Sequence, residues 1–242
     1  MKAMILAAGR GTRLGSLGET IPKALIDLGG EPLLERQLRY LERNGIGRVV
    51  VNAHHHAAQI ASFVDAYGGS IELECLVEER LLGTAGAVRN ALDHLQPGPF
   101  FVLYGDVLVA APLEPILRVH QAAGAGATLA VHEADSAVGK GVVEVDERGR
   151  VRGFAEKTAE ADGPVLINSG LYVLEPDLVA ALPPGVESDF GRDVFPAALE
   201  RGASLYAARL AEPVIDIGTP EGLELARATV RADALRSEPG SR

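Results

Sequence analysis

The sequence has little cysteine, no long apolar run and more acidic than basic residues. Its single cysteine, Cys75, excludes a disulfide within the 242-residue chain and is typical of a reducing compartment. No apolar run approaches the roughly 20 residues that a membrane span requires. The N-terminus also lacks the charged region, long apolar stretch and cleavage site of a secretion signal. We therefore expect a cytoplasmic protein with no membrane partner.

The formal net charge of −10 argues against a nucleic-acid partner, because surfaces that bind nucleic acid are normally basic. A small anionic substrate is compatible with this charge, since positive charge can be concentrated locally. The first 23 residues contain two arginines and two lysines against one acid, Glu19. Only four of the 23 basic residues are lysines, either because each is needed as a compact point charge or through compositional bias.

The opening residues predict a nucleotide site. A short apolar run at residues 3–6 predicts a buried strand, and it leads into a loop that contains Gly9 and Gly11. Glycines let a backbone approach a ligand closely, and their N–H groups can surround phosphate oxygens. Arg13 and Lys23 supply the positive charge that a polyphosphate needs. For this segment taken alone, a surface turn with solvated basic residues is the alternative.

Alternating strand and helix patterns predict the α/β class. The strand patterns are short, rich in Val, Ile, Leu and Phe, and apolar on both faces, as expected of central strands in a parallel sheet. Helical patterns lie between them, which implies right-handed crossovers and a doubly wound, Rossmann-like sheet. The first half is predicted to contain strands at 2–6, 48–52, 71–77, 100–104 and 127–132 and helices at 32–44, 56–67, 84–94 and 113–123.

The second half predicts a hairpin and less regular alternation. We expect one compact domain over residues 1–235, with a mixed but mostly parallel sheet. Its nucleotide-binding half covers 1–132, and the half at 133–235 shapes the site of the other substrate. The polar tail at 236–242 is expected to be disordered. The predicted elements are strands at 142–145, 151–156, 165–174, 205–209 and 214–217 and helices at 176–182, 190–200 and 220–235.

Short motifs follow one another in a definite order: GxGTRL with a downstream PK, then GTAGA, GD, EK, NSGLYV and DIGTPE. Over roughly residues 3–221 the chain thereby resembles the sugar-1-phosphate nucleotidyltransferases, or NDP-sugar pyrophosphorylases. It looks most similar to short mannose- or heptose-1-phosphate guanylyltransferases and N-acetylmuramate-1-phosphate uridylyltransferases. The resemblance implies the nucleotide-diphospho-sugar transferase fold, without the β-helix extension of acetyltransferase-fused relatives. It also implies that the half at 133–235 binds a sugar phosphate.

The resemblance implies that a sugar 1-phosphate attacks the α-phosphorus of an NTP, that pyrophosphate leaves in line, and that Mg²⁺ is the cofactor. The nucleophile is a phosphate monoester, which is already anionic at neutral pH, so no general base is required. Catalysis then consists of holding two polyanions together and neutralising the charge on the leaving group. Glycines, basic residues and carboxylates are expected for this task, and the motifs contain them.

The resemblance also assigns roles to individual residues. Arg13 would stabilise departing pyrophosphate, and Lys23 would contact the α-phosphate or the pyrophosphate. Asp106 and Asp216 would bind Mg²⁺. Both follow apolar strands, at the edge where parallel sheets bind ligands, although a lone Gly-Asp is more often a turn. The nucleotide is expected to contact Ala8, Gly9, Gly11, Thr12, Glu79, Gly83 and Thr84. The sugar phosphate is expected to contact Gly141, Glu156, Lys157, Asn168 and Gly170.

Two further groups of polar residues have competing interpretations. Three consecutive histidines begin at His54, but consecutive side chains point in different directions, so they predict a strand-to-helix junction rather than a metal site. Asp189, Arg192 and Asp193 could reach the sugar pocket, yet they equally form a plausible helix start, and we leave them out of the predicted site.

The substrate and the activity class also have alternatives. GTP with a hexose or heptose 1-phosphate is favoured, while uridylyl, thymidylyl or cytidylyl transfer to N-acetylmuramate 1-phosphate, glucose 1-phosphate or phosphocholine stays open. A ligand-binding relative without catalysis is a second class. A Rossmann oxidoreductase is disfavoured, because the third glycine of its GxGxxG loop is absent. The sequence leaves open whether the chain forms a homo-oligomer.

Overall fold

The computed structural model describes residues 1–136, 139–156, 163–212 and 214–237, with the backbone alone for Glu156 and residues 233–237. Strands in this part of the chain follow the apolar runs of the sequence closely. They are β1 (Lys2–Leu6), β2 (Arg48–Ala53), β3 (Glu72–Val77), β4 (Phe100–Tyr104), β5 (Val107–Leu108), β6 (Ala127–Ala134), β7 (Gly141–Val145), β8 (Val151–Glu156), β9 (Val165–Leu174), β10 (Leu205–Arg209) and β11 (Ile215–Asp216).

The central sheet has the strand order β10–β6–β9–β4–β1–β2–β3. The four strands β4, β1, β2 and β3 are mutually parallel, as are β10 and β6. Strand β9 is antiparallel to both of its neighbours, and the β7–β8 hairpin pairs with it. Strands β5 and β11 form a separate antiparallel ribbon. The predicted α/β class and mixed, mostly parallel sheet are confirmed.

One feature of the predicted sheet was wrong. Residues 71–77 were expected to form a central strand that is apolar on both faces. Strand β3 instead lies at the edge of the sheet, and most of its side chains are half-buried or exposed. Glu72 and Glu74 alternate with apolar residues along it, which is the pattern of a strand with one solvated side.

The predicted helices are present with two breaks, and one short helix, at residues 16–20, was not predicted. The helix predicted at 84–94 is divided at Ala91, and the helix predicted at 190–200 begins as a π-helical turn, Phe190–Val194. The last helix extends two residues beyond its predicted end, and residues 238–242 of the predicted tail lie outside the described residues. The helices are α1 (Ser16–Thr20), α2 (Leu33–Arg43), α3 (Ala57–Ala66), α4 (Gly83–Asn90), α5 (Leu92–Leu95), α6 (Glu114–Ala123), α7 (Pro176–Ala180), α8 (Phe195–Glu200) and α9 (Pro220–Ser237).

Helices cover both faces of the sheet. On one face α2, α3 and α6 contribute to a buried cluster, in which α2 places Leu34, Leu38 and Leu41 at helical spacing. On the other face α4, α5 and α8 pack over the sheet in a second cluster around Phe100 and Tyr172. Strands β1, β2 and β4 are therefore buried on both sides, which explains their continuous apolar sequence.

Helix α9 returns the end of the described chain to its beginning. It packs Leu223, Ala226 and Val230 against Ile26 and Leu28 in a third buried cluster. This packing fixes the strand before α9, β11, beside β5 and close to the glycine-rich loop. Within the described ranges, no helix has both the length and the apolar character needed to cross a membrane.

Candidate active site

A cleft of about 320 Å³ opens at the edge of the sheet where the parallel strands β1, β2, β3 and β4 end. Ligands of α/β proteins bind at this edge, because the loops that leave the strands converge there. Six of the predicted site residues lie in its wall: Ala8, Gly9, Lys23, Gly83, Thr84 and Asp106.

The glycine-rich loop forms one side of the cleft. A side-chain carbon added at Gly9 would meet no atom within 4 Å, so the backbone here is open to a ligand. Gly11 has a φ of 68° and packs against Gly18 of α1 so closely that a carbon added at Gly18 would lie 2.2 Å from the Gly11 carbonyl oxygen. This close contact holds the turn at 12–14, which contains Thr12 and Arg13, against α1.

Asp106 is held in the wall of the cleft by neighbouring elements. The ammonium of Lys23 donates to its Oδ2 at 2.6 Å, and both side chains are largely buried. The buried side chain of Gln37 on α2 donates to the carbonyl oxygens of Tyr104 and Val107, at 2.8 Å each. These two hydrogen bonds fix the turn that carries Asp106.

The second predicted carboxylate, Asp216, lies next to the first. In the β5–β11 ribbon Asp216 pairs with Val107, and the N–H of Ile217 donates to the carbonyl oxygen of Asp106 at 2.8 Å. The Arg13 guanidinium lies 3.9 Å from Asp216 Oδ2, and both side chains are more than half exposed. An exposed pair at this distance contributes little stability.

Gly218 joins these two ion pairs into one cluster. Its N–H donates to Asp216 Oδ1 at 2.6 Å. A carbon added at Gly218 would lie 2.8 Å from that oxygen, 2.9 Å from Arg13 Nη2 and 3.3 Å from Lys23 Nζ. Arg13, Lys23 and Asp216 thus meet at Gly218, and Asp106 joins them through its ion pair with Lys23.

The donor set of this cluster fits Mg²⁺. Carboxylate oxygens are the ligands that this ion prefers, and it commonly takes one or two of them together with phosphate oxygens and water. Each of the two carboxylates lies against a cationic side chain, so Mg²⁺ would compete with Lys23 and Arg13 for their oxygens. Among the described residues no group of three or more metal-binding side chains is found, so phosphate or water would complete the coordination.

The opposite side of the cleft is formed by the start of α4 and the segment before Phe190. The hydroxyl of Thr84 donates to Asp189 Oδ2 at 2.7 Å and accepts from the N–H of Phe190 at 2.9 Å. Gly83 has a φ of 70°, and an added carbon would lie 2.4 Å from the carbonyl oxygen of Ser188. Only glycine allows this close approach, which binds the two segments together.

Glu79 and Glu78 differ in position. Glu79, predicted to contact the nucleobase, is exposed, whereas Glu78 is buried and lies in the cleft wall. Burial raises the pKa of the Glu78 carboxyl, while the hydrogen bonds from Asn52 and Leu82 act in the opposite direction. Of these two neighbouring glutamates, Glu78 is therefore the one that lies in the cleft wall.

Three residues predicted to contact the sugar phosphate lie together on β7 and β9. A carbon added at Gly141 would lie 3.4 Å from the Asn168 side chain, and Gly141 pairs with Glu156 across the hairpin. The Gly170 N–H donates to Asn168 Oδ1 at 3.1 Å. Lys157 lies outside the described residues.

Tyr104 connects these residues to the cleft. Asn168 donates to the Tyr172 hydroxyl at 2.6 Å, and that hydroxyl donates to the Tyr104 hydroxyl at 3.2 Å. Thr84 is also hydrogen-bonded to Tyr104. Burial, followed by the neighbouring Tyr172, raises the pKa of the Tyr104 phenol well above its ordinary value, so it stays a neutral hydrogen-bonding group.

The three histidines form the predicted junction. Strand β2 ends at Ala53 and α3 begins at Ala57, with His56 between them at a φ of 56°. The Nδ1 of His54 lies 2.8 Å from the carbonyl oxygen of Glu78.

Asp189 accepts hydrogen bonds from the N–H groups of Gly191 and Arg192, so it forms the helix start that the sequence suggested. It also lies in the cleft wall.

Comparison with known proteins identifies the family. A family model described as nucleotidyl transferase matches residues 2–232. The chain belongs to this family. It is 34% identical over 90% of its length to a UTP–glucose-1-phosphate uridylyltransferase of Synechocystis sp.. It is also 34% identical over 98% of its length to a mannose-1-phosphate guanylyltransferase of Mycobacterium tuberculosis. The chain spans 60% and 68% of the lengths of these two relatives.

Two solved structures have a similar fold. The crystal structure of HddC from Yersinia pseudotuberculosis, complexed with GMP-PN, has a TM-score of 0.80 at 28% identity and covers 94% of this chain and 98% of that one. A putative glucose-1-phosphate thymidylyltransferase from Bacillus anthracis has a TM-score of 0.84 at 21% identity, covering 100% and 98%. The second likeness concerns the fold alone.

The site predicted for this nucleotidyl transferase left out five polar residues of the cleft wall: Asn52, Glu78, Tyr104, Glu187 and Asp189. Two of them had a signal in the sequence. Asn52 is a polar residue at the end of an otherwise apolar strand, and Tyr104 is the last residue of the apolar run at 100–104. The sequence contained no comparable signal for which of Glu78 and Glu79 lies in the cleft wall.

Proposed function

We propose that the chain transfers a nucleotidyl group from an NTP to a sugar 1-phosphate, with release of pyrophosphate. The observation that carries this proposal is the cluster around Gly218. It brings Arg13 and Lys23 of the glycine-rich loop region against Asp106 and Asp216, at the edge of a cleft. A cluster of this kind suits a reaction between two phosphorylated molecules, and the relatives with sugar-phosphate nucleotidyltransferase names support it.

In this proposal the residues around the cleft have different roles in the reaction. The backbone at Gly9 and Gly11 borders the triphosphate, and Lys23 neutralises the α-phosphate as the sugar phosphate oxygen attacks it. Arg13 stabilises the charge that develops on departing pyrophosphate. Because the nucleophile is already an anion, positioning and charge neutralisation are sufficient, and no side chain has to remove a proton.

Asp106 and Asp216 would hold Mg²⁺, which would supply positive charge against the triphosphate oxygens when bound. The sugar 1-phosphate would lie toward Gly141, Asn168 and Gly170. The hydrogen bonds from Asn168 through Tyr172 to Tyr104 support this placement, because they connect that region to the nucleotide half.

Guanylyl transfer to a mannose- or heptose-type sugar is the favoured form of the reaction. It is supported by the mannose-1-phosphate guanylyltransferase relative and by the HddC structure with GMP-PN. Uridylyl transfer to glucose 1-phosphate is the second candidate, because the Synechocystis relative carries that name at the same identity.

The test is a matrix of four NTPs against sugar 1-phosphates with Mg²⁺, scored by pyrophosphate release. We expect turnover with GTP and mannose or heptose 1-phosphate. Asp106→Asn and Asp216→Asn should each lower turnover by about 100-fold or more, while Asp65→Asn, on the exposed side of α3, should leave it unchanged. Folded protein without turnover in any combination would overturn the catalytic proposal, and full activity in both cleft variants would overturn the metal assignment.

A further inference from the structure

Two polar side chains are buried beneath the cleft where apolar ones would be expected. Asn52, at the end of β2, is 3% exposed, and Glu78, just after β3, is 5% exposed. Burying an amide or a carboxyl group is unfavourable unless its hydrogen-bonding atoms find partners. Their partners therefore indicate what these two residues do.

Asn52 and Glu78 form a continuous hydrogen-bonded chain. The N–H of Ala7 donates to Asn52 Oδ1 at 2.8 Å, and Asn52 Nδ2 donates to Glu78 Oε1 at 2.7 Å. The N–H of Leu82 donates to the second carboxyl oxygen, Oε2, at 3.2 Å. Each oxygen of the Glu78 carboxyl thus accepts one hydrogen bond from the protein.

This chain continues the sheet beyond the point where its backbone pairing ends. The last paired residues of β1 and β2 are Leu6 and Asn52, so Ala7 is the first residue past the ladder. There the Asn52 side chain, rather than a backbone carbonyl, accepts the next N–H. The chain exit from β1 is fixed by this bond just before the glycine-rich loop begins.

The other end of the hydrogen-bonded chain fixes the opposite wall. Leu82 directly precedes Gly83 and Thr84, and its carbonyl oxygen accepts from the N–H of Ser188 at 2.9 Å. The same Ser188 offers its carbonyl oxygen to the N–H groups of Ala85 and Gly86. The glycine-rich loop and the loop that opens α4 are therefore connected through Asn52 and Glu78. The loop that opens α4 is also held by its hydrogen bonds to Ser188.

We propose that Asn52 and Glu78 are positioning residues that set the separation of the glycine-rich loop and the loop that opens α4, so that both are ordered before the nucleotide binds. The proposal rests on the proposed function, because it treats the cleft as the nucleotide site. A site whose loops are already ordered binds more tightly, since the ligand does not have to order them. The specific claim is that the hydrogen-bonded connection matters, and the position of the negative charge does not.

An exchange of the two side-chain types tests this claim. In Asn52→Asp two carboxyl groups face each other, and in Glu78→Gln the new amide can accept from only one of its two donors. Both single variants lose a hydrogen bond of the connection. In the double variant N52D/E78Q every bond is restored: a carboxyl group at position 52 accepts from Ala7 and from the amide at 78, whose oxygen accepts from Leu82.

The measurements are the dissociation constant of each of the four NTPs with Mg²⁺, determined by calorimetry, and the thermal midpoint of unfolding of each variant. We expect each single variant to bind the nucleotide that the parent protein prefers about tenfold more weakly, because a buried partner is left unsatisfied. The double variant is expected to return to within about twofold of the parent. Asn44→Asp is the matched control. It alters a part-buried amide that donates to Tyr40 and accepts from Leu113, away from the cleft, and should change the midpoint but not the affinity.

Each contrary outcome has a distinct meaning. If the double variant binds as weakly as Glu78→Gln, the carboxylate at position 78 acts by direct contact and the positioning role is overturned. If the single variants lower the thermal midpoint without weakening binding, the residues are merely structural and the proposal is again overturned. If the parent protein binds none of the four NTPs, the proposed function fails first, and this inference fails with it.

Discussion

Gly218 provides a sharp test of the cation–carboxylate cluster. In Gly218→Ala the new methyl carbon would lie 2.8 Å from Asp216 Oδ1 and 2.9 Å from Arg13 Nη2, where ordinary contacts begin at 3.4 Å. These atoms must therefore move by about half an ångström. A displacement of about 1 Å at a reacting centre can reduce the rate about 100-fold, so we expect kcat to fall roughly tenfold.

The fold should tolerate the same change. The φ angle of Gly218 lies outside the left-handed region. The Lys23 and Arg13 atoms that lie close to the added carbon are the ends of flexible side chains. An alanine at such a position also reduces the entropy of the unfolded chain, which stabilises by about 0.4–1 kcal/mol. We therefore expect the free energy of unfolding to change by less than about 1 kcal/mol.

Two assays separate these effects. Pyrophosphate release at saturating substrates gives kcat, and urea unfolding gives the stability. Gly47→Ala is the matched control, because its added carbon would meet no atom within 4 Å and its φ is equally permissive. If Gly218→Ala kept kcat within about twofold of the parent, the cluster would not be part of the reacting centre.

Further predictions concern single side chains of the cleft and the sheet. Lys23→Arg should lower kcat about 100-fold, because a planar guanidinium cannot replace an ammonium that lies 2.6 Å from Asp106. Lys2→Arg serves as the control, and an equal loss of kcat in both variants would refute the role of the Lys23 ammonium. Thr84→Val removes two hydrogen bonds to the 189–190 segment and should cost about 1–3 kcal/mol in urea unfolding, so an unchanged midpoint would contradict it. Burial, then Lys140, lowers the pKa of His132 below 6.5, so the fold favours the neutral ring. The free energy of unfolding should therefore decrease as pH falls below about 6.5, and His132→Gln should flatten this slope; an unaltered slope would argue against it.

The fold class was predictable because a strand that is buried on both faces must consist of apolar residues, and such runs are visible in the sequence. After Lys2 and Arg48, which begin β1 and β2, these two strands and β4 are apolar up to the edge of the cleft. The same reasoning failed for β3, since an edge strand needs only one apolar face and its short apolar pattern resembles that of a buried strand.

The candidate site was predictable in part. The motifs placed Lys23 after the glycine-rich loop, Asp106 after a strand and Thr84 at the start of a helix, and each lies in the cleft wall. The roles assigned to these residues stay predictions. The position of Glu78 in place of Glu79 could not be predicted, because the loop after β3 has no strand period that would orient successive side chains.

The sequence by itself determined local features: where glycines open the backbone, where apolar runs form strands, and which residues carry charge. Tertiary structure alone decided which of these residues meet. Asp216 reaches Asp106 because α9 packs back onto residues 26–28, and Asn52 meets Glu78 because β1, β2 and β3 end at one edge. Such contacts join residues far apart in the chain, so they depend on packing of the whole domain and leave no local pattern.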